Sequence, residues 1–197
     1  MIRLLRYMAS LNDTPQSRGT FGEMIVASIF DPRFFGEEEH YIVNNITLQT
    51  QDDRIHQIDH VAIYKTGIFC IETKNIIGTI IGQLGDKKWT IYNGGEPYEI
   101  YNPILQNNTH VAVLSEFIRW KHKVNSIIVF IKANKPKDCP SNEIVDLQDL
   151  KDYVKNYPCD KEMTSEEMKE IYDSLTAQKE GLDNTSTQNT NNINGYK

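Results

Sequence analysis

Glu72 and Lys74 stand two positions apart in Ile71-Glu72-Thr73-Lys74, within a β-branched, apolar run. In a strand alternate side chains share a face, so an acid and a base at this spacing point the same way, one pleat apart. Asp59 lies in Gln57-Ile58-Asp59-His60-Val61, a second run of the same character. From a neighbouring strand it can lie across from the Glu72 and Lys74 face. Two carboxylates brought that close repel each other, and a cation between them removes the repulsion; all-oxygen ligands suit hard ions such as Mg²⁺ or Mn²⁺. The Lys74 ammonium adds a second positive group. A purely structural arrangement also satisfies these residues. Glu-x-Lys is ordinary on the solvated face of an antiparallel strand, and a buried Asp59 could be met by a cross-strand contact with Lys74.

Other chemistries find less support. His56 and His60 are four apart, which on a strand spans ~13 Å, too far to share one ion. No nucleophile elbow, phosphate-binding glycine loop or dinucleotide fingerprint occurs. Cys70, Cys139 and Cys159 are odd in number and scattered, so neither a disulfide framework nor a zinc knuckle is expected, and a reduced, cytoplasmic compartment fits. Cys70 shares the face of Glu72 and reads as a small core residue. No run approaches the ~20 apolar residues of a membrane span. The net charge of -6 argues against a duplex binder held by a broad basic surface. A local positive rim could still come from Arg54, Lys65, Lys87, Lys88, Arg119, Lys121 and Lys123.

These residues need elements to position them. The 197 residues, 39% apolar and 24% charged, suffice for one domain with a continuous core. Residues 1–13 read as a short leader. A first helix is expected over Arg18–Phe30, capped by Ser17 or Thr20, with Phe21, Met24, Ile25, Ile29 and Phe30 at helical spacings. Tyr41–Thr50 reads as one strand or two short ones. Gln57–Tyr64 and Ile68–Lys74 form a hairpin around Lys65, Thr66 and Gly67, with Gly67 supplying a positive φ. Further strands are expected at Thr79–Gln83, Trp89–Tyr92 and Pro97–Tyr101, continuing the meander. Asn102-Pro103 starts a helix to about His122, with Ile104, Val111, Leu114 and Ile118 as its stripe, and Ile127–Ile131 is a buried strand. An edge strand at Ile144-Val145, a helix near Leu147–Asn156 and a helix from the capping box Thr164–Glu167 through Leu175 complete residues 133–175. Residues 176–197, rich in Asn and Thr, are expected to be disordered.

Four segments in order, Gly19-Thr20-Phe21-Gly22-Glu23, Gln57-Ile58-Asp59-His60, Ile71-Glu72-Thr73-Lys74-Asn75 and Asn102-Pro103-Ile104-Leu105-Gln106, resemble the pattern of the nuclease-related (NERD) domain family. The likeness covers roughly Arg18 to Trp120. It implies the PD-(D/E)XK nuclease fold, an α+β core with a mixed central sheet flanked by helices in αβββαβ order, over residues 14–132. It also implies a core triad of Asp59, Glu72 and Lys74, with Glu23 as an additional acid and Gln106 completing the site. Mg²⁺ or Mn²⁺ would be held by Asp59, Glu72, the Thr73 carbonyl and Glu23, and the reaction would be hydrolysis of phosphodiesters in nucleic acid, expected to be DNA. The alternative on the same fold is an interaction module, for nucleic acid or protein, with little catalysis.

Overall fold

The computed structural model describes residues 15–136 and 138–193. The expected leader at 1–13 lies outside the described residues. The chain begins with helix α1 (Pro15–Ile29) and a one-turn helix α2 (Pro32–Phe35), then β1 (Tyr41–Gln49), β2 (Ile55–Tyr64) and β3 (Gly67–Lys74). Short strands β4 (Thr79–Ile81), β5 (Lys88–Tyr92) and β6 (Tyr98–Tyr101) precede helix α3 (Pro103–Phe117). Then come β7 (Val124–Phe130), β8 (Ile144–Asp146), α4 (Leu150–Lys155) and α5 (Ser165–Ile193). No helix among the described residues is long and apolar enough to cross a membrane.

Five strands make the central sheet in the order β1-β2-β3-β7-β8. β1, β2 and β3 are antiparallel neighbours, while β7 joins β3 in parallel and β8 joins β7 in parallel. The hairpin closes tightly: Tyr64 pairs with Gly67 across Lys65-Thr66. Gly67 has φ +149°, a conformation that costs a residue without Cβ little. The parallel β3-β7 pair forces a crossover, which α3 supplies, and this is the αβββαβ order.

The sheet is covered on both faces. Val61, Ile63, Ile68 and Cys70 pack with Val113 and Leu114 of α3, its C-cap Ile118, and Met168, Ile171 and Leu175 of α5. The opposite face buries Ala62, Phe69, Ile71, Ile127 and Val129 against Val26 of α1, Phe30 just after it, Phe35 of α2, and Leu150 and Val154 of α4. This is why β3 and β7 are nearly continuous apolar runs.

Several expectations need correction. The three short strands do not extend the central sheet; they form their own sheet, β4-β5-β6. The free edge of β3 is taken by β7, so β4 has no central partner. Instead Ile80, Trp89 and Ile91 pack on Ile104, Ile128 and Phe130. Helix α1 starts at Pro15, ahead of the proposed caps Ser17 and Thr20. Its buried positions are Gly22 and Val26, with Phe30 buried just beyond its end, while Met24 is exposed. Helix α3 stops at Phe117 rather than near His122, because Arg119 and Trp120 turn to positive φ. The last helix runs past Leu175 and Thr176 to Ile193. A helix satisfies its own backbone hydrogen bonds whatever its side chains, and Lys179 Nζ donates to the Asn44 carbonyl at 2.6 Å, tying the extension to β1.

Candidate active site

The site is assembled where β2, β3 and the first turns of α3 meet. Asn102 fixes the start of α3. Its buried side chain accepts from Ile104 N at 2.9 Å and donates to Leu84 O at 3.1 Å and Asp86 O at 2.7 Å. The cap thus locks the helix to the loop before β5. One turn on, Gln106 Oε1 accepts from Lys74 Nζ at 3.0 Å. Asn107, fully buried, donates to Cys70 O and to Ser126 Oγ, each at 2.9 Å, so α3 is pinned to both β3 and β7.

Lys74 Nζ also lies 2.6 Å from Glu72 Oε1. Glu72 is only 2% exposed, which is costly for a carboxylate unless its charge is met. Burial pushes its carboxyl up, but the neighbouring His110 and Lys74 outweigh burial and hold it below the usual range. His110 Nδ1 lies 3.4 Å from Glu72 Oε2, yet the two are not aligned as a hydrogen bond, and both atoms are buried without a hydrogen-bond partner.

Asp59 sits where the strand alternation slips. Val61 and Ile63 belong to the same core as Ile58, and Val43 to the same core as Ile46 and Leu48, so both β1 and β2 change facing across Asn45 and Asp59. Asn45 takes φ +52° there. Such irregularities re-aim a side chain. Asp59 Oδ2 accepts from the Thr73 backbone N–H at 2.8 Å. Burial, and then the charge of Glu72, push its carboxyl up to about 7 despite that bond. Glu23, half-buried on α1, is raised by burial and by the same Glu72 charge. It is brought near because Gly22 lets α1 approach closely: a Cβ there would lie 2.9 Å from Asn75 Cβ and 3.3 Å from Thr73 Cγ2.

Lys74 therefore contacts Glu72 and Gln106, while Asp59 answers to the Thr73 amide rather than to Lys74. The cross-strand Asp59-Lys74 pair is not formed. Among the described residues, no three His, Cys, Asp or Glu side chains are grouped as a ready-made metal cage. His60, on the opposite face, is held neutral: burial lowers it to about 4, and Nδ1 bonds Asn44 Oδ1 at 2.7 Å. The expected basic rim is largely neutralised, since Arg54, Lys65, Lys88 and Lys121 form ion pairs with Asp52, Glu162, Glu99 and Glu170.

Two residues at the site escaped the sequence reading, Asn107 and His110. The signal was available: with Leu114 they fall at helical spacing on α3, so two polar side chains occupy positions of its inward face. A polar residue in an inward stripe needs a partner.

The nuclease-related domain family model matches residues 18–131, a span that contains every residue named above in the Glu72 cluster. A Bacillus anthracis protein described as uncharacterized is 29% identical over 168 residues, which cover 82% of this chain and 76% of that protein. No solved structure gives a significant match.

Proposed function

We propose that this chain, which belongs to the nuclease-related domain family of the PD-(D/E)XK-like nuclease superfamily, hydrolyses phosphodiester bonds of DNA at the Asp59, Glu72 and Lys74 cluster. The observation that carries the reading is the state of Glu72. It is a buried carboxylate with one oxygen on Lys74, the other without a hydrogen-bond partner, and a second acid beside it whose affinity for a proton is raised. Two acids so placed, with only Lys74 and His110 to answer them, leave room for a further positive charge.

The donor set fits a small divalent ion. Mg²⁺ commonly uses one or two carboxylates and keeps several waters, so a three-side-chain cage is not needed. Asp59, Glu72 and the Thr73 carbonyl would hold it, with Glu23 as a further acid. Bound there, the ion would neutralise charge on the phosphate and lower the pKa of water. Lys74, a compact donor fixed by Glu72 and Gln106, would orient the attacking water and stabilise charge building on the phosphate. Gln106 holds that ammonium in place through its Oε1, and its amide would fix water or a phosphate oxygen. The Asn102 side chain already takes the Ile104 amide, so the start of α3 offers less to an anion than its bare first turn would.

Purified protein and supercoiled plasmid test this reading. Nicking should appear with Mg²⁺, vanish with chelator, and fall about 10²- to 10³-fold in Lys74→Ala, the scale for losing one transition-state donor, with unchanged far-ultraviolet circular dichroism. Absence of nicking by folded wild type would favour the interaction module instead.

A further inference from the structure

His110 is a buried imidazole that the proposed chemistry does not use. It projects from α3 one turn beyond Gln106, so the two side chains flank the Glu-x-Lys strand from the same helix. His110 is 7% exposed and Glu72 2%. Nδ1 of one and Oε2 of the other are 3.4 Å apart, and neither has a hydrogen-bond partner. Two buried polar atoms in that state carry a desolvation cost that something must offset. An imidazolium would answer the carboxylate charge at that distance, but it would leave both atoms without an aligned hydrogen bond. A shared ion satisfies both atoms as they stand. Ligands at about 2.1–2.2 Å, meeting at tetrahedral to octahedral angles, lie about 3.0–3.5 Å from each other, and this pair falls in that range. His56 stands behind, its ring 6.3 Å from that of His110.

We propose that His110 Nδ1 and Glu72 Oε2 are ligands of one divalent ion, so that the site selects a transition ion of the Mn²⁺ class over Mg²⁺. This rests on the reading of Asp59 and Glu72 as the metal-holding acids. Imidazole suits first-row transition ions, whereas Mg²⁺ strongly favours oxygen. The nitrogen ligand would give a mixed oxygen and nitrogen set.

Mn²⁺ itself is the probe. Chelator-treated protein would be titrated with Mn²⁺, with binding followed by loss of the free-ion electron paramagnetic resonance signal and ligation read from electron spin echo modulation. Wild type should bind Mn²⁺ with nitrogen modulation that changes frequency when histidine is ¹⁵N-labelled. His110→Gln should lose the modulation and bind Mn²⁺ at least about tenfold more weakly, because disturbing an outer partner of a ligand already costs about 10- to 100-fold. Bound Mn²⁺ without histidine modulation overturns this assignment while leaving the carboxylate site intact. Modulation that persists in His110→Gln overturns it as well. No Mn²⁺ binding by folded wild type removes the metal reading altogether, and this inference with it. Should His110→Gln fail to fold, modulation retained in both His56→Gln and His60→Gln supports His110, and its loss in either overturns the assignment.

Discussion

Asp59 has a carboxyl that its surroundings would rather keep protonated. Burial and the Glu72 charge raise it from 3.8 to about 7. Between those values the folded metal-free protein holds a proton that the unfolded chain has released, so stability must fall as pH rises. The metal-free melting temperature should therefore decline from pH 5 to pH 8, and Asp59→Asn, which lacks the titrating proton, should flatten that decline. Melts in chelator at both pH values decide it; a wild-type melting temperature that rises over the same window contradicts the assignment. That Glu72 and Lys74 share a face was legible because strand spacing dictates it, and the ordered segments pointed to Asp59 and Gln106, although Asp59 lies at a slip in the alternation that spacing does not signal. His110 was not. The expected stripe of its helix, Ile104, Val111, Leu114 and Ile118, leaves it out, and only the distance to Glu72 shows what it meets.

Helix α1 contributes Glu23 only because Gly22 permits close approach to the end of β3. Gly22→Val would place side-chain atoms where Asn75, Thr73 and Ile131 already lie. Overpacking of this kind costs ~1–3 kcal/mol, which for a chain of this size lowers the melting temperature by about 2–12 °C. Differential scanning calorimetry checks it, and an unchanged melt would show that α1 is not seated at Gly22. The sequence indicated a helix here and grouped the buried Phe30 and the packed Ile29 with the exposed Met24, because its apolar residues are spread around the cylinder. Only the glycine marks the contact side. Likewise the strands β4 to β6 were visible from their β-branched and aromatic content, but their assignment to a separate sheet depends on β7 occupying the edge of β3. That pairing spans more than fifty residues of chain and leaves no local trace.

At the scale of the whole molecule, a net charge of -6 and a cluster of inward acids work against folding, and a bound cation would offset them. A divalent ion that binds only the folded state stabilises it by ~2.7 kcal/mol at ~100 times its dissociation constant. The melting temperature should rise with Mn²⁺ in wild type and not in Asp59→Asn; a flat wild-type response would count against the metal site. Ca²⁺, larger and less polarising, should also stabilise the fold yet support little turnover. The last helix belongs to this scale too, since Leu175 is buried in the core and Lys179 reaches β1. Composition alone placed a boundary at Thr176 that the backbone does not observe.

The central claim is that buried Glu72 makes this chain a metal-dependent phosphodiesterase. The most direct measurement is the initial rate of DNA cleavage with Mg²⁺ or Mn²⁺ for wild type beside Glu72→Gln, which keeps the side-chain volume and removes the charge. Wild type should cleave, chelator should stop it, and Glu72→Gln should be slower by about a thousandfold, at the upper end of what one electrostatic group supplies. Equal rates in the two proteins, or no cleavage by wild type that demonstrably binds the ion, would contradict the account.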